Sequence, residues 1–132
     1  MRVHRLSALL PLLGVVAPLP ALAEGAVQSL ACLSNTVCTA SGACVPDGTD
    51  FTFTITPVAL EDNGVAVSMI SYGDQSFEVR QNGPLAPFEW SEGDTDRQTL
   101  LPSGPTDLVW HQFTFGEGVS ARILFLTCEA PG

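Results

Sequence analysis

Val119-Ser-Ala-Arg-Ile-Leu-Phe-Leu-Thr-Cys128 is the most apolar strand signal outside the N-terminal leader. Ile123 to Leu126 is apolar at consecutive positions, so a strand here carries hydrophobic side chains on both faces. Left at an open sheet edge, such a strand would template aggregation. Pairing it with the first strand removes the edge. The cysteines point the same way, because Cys128 ends this segment and Cys32 lies in the first strand signal, Val27 to Leu33.

Between those two segments the chain keeps returning to a period of two residues. Phe51-Thr-Phe-Thr-Ile-Thr56 alternates large apolar side chains with threonine, the pattern of a half-buried strand. Pro57 lacks a ladder donor, so this strand is expected to stop there or to run along an edge. Glu61-Asp-Asn-Gly64 contains the Asn-Gly pair that marks a hairpin, and Val65 to Ser71 follows with Val65, Val67 and Met69 on one face. Gly73-Asp-Gln75 turns the chain again before Phe77 to Arg80. Shorter strands are expected at Phe88 to Trp90 and Gln98 to Leu101 and a long one at Leu108 to Phe115, with a polar loop from Ser91 to Arg97. The sum is an all-β fold, an antiparallel barrel or flattened sandwich of about eight short strands.

Four cysteines allow three pairings. Cys38 and Cys44 flank the flexible Ala40-Ser41-Gly42 stretch, short enough for a local bridge. Cys32 and Cys128 then join the first strand to the last, so Cys32–Cys128 with Cys38–Cys44 is the expected set. Structural zinc brings its ligands in pairs two to four residues apart, and a redox dithiol needs Cys-x-x-Cys. The spacing here, C-x5-C-x5-C, offers neither.

The N-terminus reads as an export signal. Arg2, His4 and Arg5 precede the apolar Leu6 to Val16, and Ala21-Leu22-Ala23 forms a small-residue cleavage site. Pro11, Pro18 and Pro20 interrupt this stretch too often for a membrane-spanning helix. Leu30-Ala31-Cys32 imitates the end of a lipobox, but Ser29 stands where leucine is usual. A lipidated Cys32 would also leave an odd number of cysteines. Residues 1–23 are therefore expected to be removed after Ala23, leaving a single β domain over 24–132 in a bacterial periplasm or outside the cell.

The chain contains no lysine, and past Ala23 it sets Arg80, Arg97 and Arg122 against all fourteen carboxylates, a formal charge of −11. Such a surface repels nucleic acid and anionic membrane and attracts cationic partners. No catalytic constellation is present. The Gly-x-Ser-x-Gly elbow is missing, and His111 is the only histidine past the leader. Alternation puts His111 with Val109 and Phe113, opposite Trp110 and Gln112, and it is expected to line the barrel or sit in the core. Asp47-Gly-Thr-Asp50 and Glu92-Gly-Asp94-Thr-Asp96 place oxygens in alternation as calcium loops do, but neither fits the twelve-residue EF-hand, and turns require the same residues. No metal or cofactor is expected.

A cysteine in the first strand, another in the last, and a small exported antiparallel domain together resemble the periplasmic inhibitors of c-type lysozyme. That resemblance implies an eight-stranded barrel with bridged terminal strands and a Ser-Gly-x-x-Tyr-type loop entering the lysozyme cleft. Ser71-Tyr72-Gly73-Asp74 breaks the Ser-Gly order, and the Cys38/Cys44 pair lies outside the pattern, so the inhibitor's functional residues are not carried over. The Cys-x5-Cys-x5-Cys start and Leu126-Thr-Cys-Glu129 ending also look like small exported bacterial proteins of unknown function.

The expectation is a monomeric, non-enzymatic binding module for a cationic protein such as a lysozyme. The alternative is a barrel carrier of a small apolar ligand. The candidate binding residues are Tyr72, Trp90, Arg97, Trp110 and His111: aromatic and arginine side chains supply most interface energy, and Trp110, His111 or Phe113 would border a carrier's cavity.

Overall fold

The computed structural model describes residues 26–83 and 86–129. The expected leader, its cleavage site and the start of the mature chain lie outside the described residues. Nine strands follow in order: β1 (Gln28–Thr39), β2 (Cys44–Pro46), β3 (Asp50–Leu60), β4 (Val65–Tyr72), β5 (Gln75–Asn82), β6 (Phe88–Glu92), β7 (Asp96–Pro102), β8 (Asp107–Thr114) and β9 (Ser120–Glu129). No helix occurs among the described residues.

Every pairing is antiparallel, and β3 to β9 are joined neighbour to neighbour. β1 then pairs with β9 from Ala31↔Glu129 to Thr39↔Arg122 and with β3 from Gln28↔Ile55 to Leu33↔Asp50, closing an eight-stranded barrel. The short β2 extends the β3 side of β1, pairing at Thr36↔Pro46 to Cys38↔Cys44. The doubly apolar β9 thus lies between β8 and β1 with no free edge, which is what its composition demands.

Both expected disulfides are present, Cys32–Cys128 and Cys38–Cys44. Each joins residues directly opposite across a strand pair. They lie on different faces despite the even spacing. β1 carries a bulge between Ser34 and Thr36, and one extra residue reverses which side chains face inward. Cys32 and Ser34 point into the barrel before the bulge. Val37 points in after it, and Cys38 faces outward.

The interior is filled. Phe53, Ile70, Val79, Leu100, Leu124 and Leu126 are essentially inaccessible, and Trp90 and Trp110 pack with them. The rings of Phe53, Tyr72 and Trp110 meet edge to face at 5.2–5.5 Å, a favourable quadrupole arrangement. Gln98, buried like Ser34 and Ser68, accepts at its Oε1 a 2.8 Å hydrogen bond from Trp110 Nε1 and satisfies that buried donor.

Several sequence readings shift. β3 does not stop at Pro57 but continues to Leu60 through a bulge between Pro57 and Ala59, where the missing donor is harmless. The face of Val65, Val67 and Met69 is the outer one, opposite Arg80 and Glu78, while Ser68, Ile70 and Tyr72 face inward. Ser91 to Arg97 is not a loop, because Ser91↔Arg97 and Glu92↔Asp96 pair in a tight hairpin. Its turn needs a left-handed residue, supplied by Gly93 at φ 73°. At the Asn63-Gly64 turn only Gly64 adopts positive φ (84°), and Asn63 instead accepts a 3.0 Å bond from Val65 N–H.

One seam is thin. β5 and β6 share a single pair, Arg80↔Glu89, supported by a 2.8 Å bond from Gln81 Nε2 to the Ala86 carbonyl.

Candidate functional site

The barrel's two ends differ in charge. At the end where β4 turns into β5, β6 into β7 and β8 into β9, the loops and strand ends carry Asp47, Asp50, Asp74, Glu92, Asp94, Asp96 and Glu117. Among the described residues Arg97 and Arg122 are the only basic side chains near it, and neither forms an ion pair there. Arg80 belongs to the wall, held by Glu61 at 2.8 Å and Glu78 at 3.7 Å.

Aromatic side chains lie beneath this acidic end. Tyr72 contacts Trp90 at 6.1 Å, Trp110 at 5.2 Å and Phe77 at 5.8 Å between ring centroids. Trp90 Nε1 donates to Glu92 Oε1 at 3.2 Å, which ties the aromatic cluster to the acidic hairpin. Glu92 and Asp96 are cross-strand neighbours on the inward-facing side of β6 and β7. Partial burial, then repulsion from Asp96, raises the Glu92 carboxyl above the ordinary glutamate range. Asp96 Oδ1 and the Tyr72 hydroxyl are both shielded from solvent without a hydrogen-bond partner. Two such orphaned atoms in one region mark polar capacity that the fold itself does not use.

Tyr72, Trp90 and Trp110, expected to be binding candidates, are therefore brought together, but chiefly as packing. Trp90 and Trp110 are buried; Tyr72 is half-buried. Arg97 and His111 are not part of this cluster. Both project from the outer wall, in the registered rows Arg97↔Phe113 and Thr99↔His111. The expectation of a barrel-lining or core His111 is corrected: it is exposed, because β8 turns Leu108 and Trp110 inward and so Val109, His111 and Phe113 outward. Phe113 leaves the candidate cavity with it.

Glu92 and Asp96 are the site residues that sequence reasoning treated only as turn and calcium material. Their pairing needs the hairpin that had been read as a loop. The other acidic loop closes on itself: Asp47 accepts a 3.0 Å bond from Thr49 Oγ1. The nearby Ser34 hydroxyl, then Gly48 N–H and Thr49, hold the Asp47 carboxyl below its ordinary range. No cluster of three or more histidine, cysteine or carboxylate side chains is placed to hold a metal among the described residues.

Open concavities lie on the outer wall. One of about 350 Å³ lies over Glu89, Trp90, Ser91, Arg97, Gln98 and Thr99, and one of about 480 Å³ lies over the junction of β1, β3 and β9. No family model, curated protein or solved structure matches the chain. The two disulfides suggest an oxidising, extracellular or periplasmic environment.

Proposed function

We propose that this chain is an exported, non-enzymatic binding module that engages a cationic protein through the acidic end of its barrel. The supporting observation is the concentration of Asp74, Glu92, Asp94, Asp96 and Glu117 on the hairpin turns around an aromatic floor, where the strand edges are already paired. A rigid rim of like charge steers basic partners and fixes their orientation. The charge pattern is compatible with a c-type lysozyme as target, though by a different loop chemistry from the known inhibitors. Export to a bacterial periplasm or beyond belongs to the same proposal.

The test is titration calorimetry of the oxidised protein against c-type lysozyme at about 20 and about 300 mM salt, a range over which exposed charge pairs become strongly screened. Binding at low salt that weakens at high salt, and that weakens again in Asp74→Asn/Asp94→Asn/Glu117→Gln, is the expected result. No binding at either salt sinks the lysozyme version. Binding unchanged by the triple neutralisation sinks the acidic end as the site. The carrier alternative calls for an interior cavity of about 300 Å³ or more, and the packed interior favours the surface binder.

A further inference from the structure

The wall of β7, β8, β9 and the second half of β1 presents a different surface. Registered rows run straight across it: Leu101↔Val109↔Phe125↔Thr36, then Thr99↔His111↔Ile123↔Cys38, then Arg97↔Phe113↔Ala121. These side chains face outward, and none is a carboxylate. Phe115 lies against Phe113, the tilted rings 5.6 Å apart between centroids, and with Val119 extends the apolar area past the strand ends. Phe113, Phe115 and Phe125 are each about two-fifths exposed.

Three such rings, with Leu101 and the largely exposed Val119, present on the order of 400 Å² of apolar surface. A standard interface buries about 800 Å² per partner, somewhat over half of it apolar, so this wall alone matches one side of such an interface. Its charges sit at opposite ends. Arg97 marks the acidic-loop end. Asp107, which accepts from Thr127 Oγ1 at 3.5 Å, and Glu129 mark the other.

We propose that this wall is the contact between two copies of the chain, packed sheet on sheet about a two-fold axis near His111 with their strands antiparallel. That orientation lays the apolar rows of one copy over those of the other. It also puts Arg97 of each copy at the end of the contact where Asp107 of the second lies. For a chain this acidic, a carboxylate-free centre keeps like charges out of the middle of the contact between identical copies. The acidic barrel ends then point away from each other, which leaves Asp74, Glu92, Asp94 and Asp96 clear of the contact, while Glu117 lies at its edge beside Phe115 and Val119. This proposal departs from the monomer expected from sequence.

Sedimentation equilibrium of the oxidised protein from about 1 to about 200 µM tests it by mass action. The expected result is a reversible monomer–dimer equilibrium. Phe113→Asp/Phe125→Asp should raise the dissociation constant at least about 100-fold while leaving tryptophan fluorescence unchanged. Arg97→Glu should weaken the dimer at low salt, and adding Asp107→Arg should restore it. A wild-type chain monomeric throughout overturns the proposal, as does a folded double-aspartate variant that dimerises as tightly as wild type. Failure of the charge swap to restore association overturns the antiparallel two-fold. Should the double variant not fold, Leu101→Asp, at the rim of the patch, provides the same comparison.

Discussion

Removing the Cys32–Cys128 bridge should cost about twice as much stability as removing Cys38–Cys44. The two bonds span sequence separations of 96 and 6 residues. In the chain-entropy model a closed loop near 100 residues contributes about 4.7 kcal/mol at 25 °C, whereas a loop of seven contributes about 2.4 kcal/mol. Cys32 and Cys128 are buried, so Cys32→Ala/Cys128→Ala suits the first site; Cys44 is exposed, so Cys38→Ser/Cys44→Ser suits the second. At about 4–8 °C per kcal/mol for a domain of this size, the melting temperature should fall by roughly 19–38 °C and 10–19 °C respectively. Urea unfolding followed by Trp90 and Trp110 fluorescence gives both free energies by linear extrapolation. Equal losses, or a larger loss at Cys38–Cys44, would refute the reasoning that Cys32–Cys128 acts as the long-range closure. An intermediate populated only in the Cys32/Cys128 variant would locate that closure at the β1–β9 seam.

Gln98→Leu should destabilise the fold by about 1–3 kcal/mol, because Trp110 Nε1 loses its buried acceptor, and the cost should shrink in Gln98→Leu/Trp110→Phe. Glu92→Gln should raise the melting temperature at pH 7. The native carboxyl titrates above its unfolded value of 4.5, so its ionisation opposes folding as pH rises through the folded value; the difference from wild type should vanish below about pH 4.5. A gain that persists at pH 4 would refute that assignment. Amide hydrogen exchange should be faster across β6 than across β9, since β6 has one pair on its β5 side whereas β9 is laddered on both sides. Uniform protection around the barrel would contradict the thin seam.

Strand existence was legible in the residues. Phe51 to Ile55 alternate because one face of a strand meets the core, and Gly64, Gly73 and Gly93 mark turns because only glycine takes their positive φ without strain. The disulfide pairing was legible as well, through the apolar β9 that required a partner. The candidate site was legible only in part. Trp90, Trp110 and Tyr72 stood out by type, but the Glu92↔Asp96 pair was hidden in a segment whose polar composition reads as a loop. A five-residue strand closed by Glu-Gly-Asp-Thr-Asp leaves too few alternating positions to announce itself.

The chain by itself determined the all-β class and the antiparallel run of short strands, since alternation and turn chemistry are local properties of the residues; it favoured closure and the Cys32–Cys128/Cys38–Cys44 pairing over their alternatives, and the β1–β9 ladder decided both. Only the tertiary structure decided what faces inward. Period-two alternation names two faces and cannot say which one meets the core. That choice depends on long-range register, and a single bulge at Ser34/Thr36 reverses it within β1. The same choice sent His111 and Phe113 to the outer wall, sealed Trp110 inside, and gathered the carboxylates of separate loops at one end of the barrel.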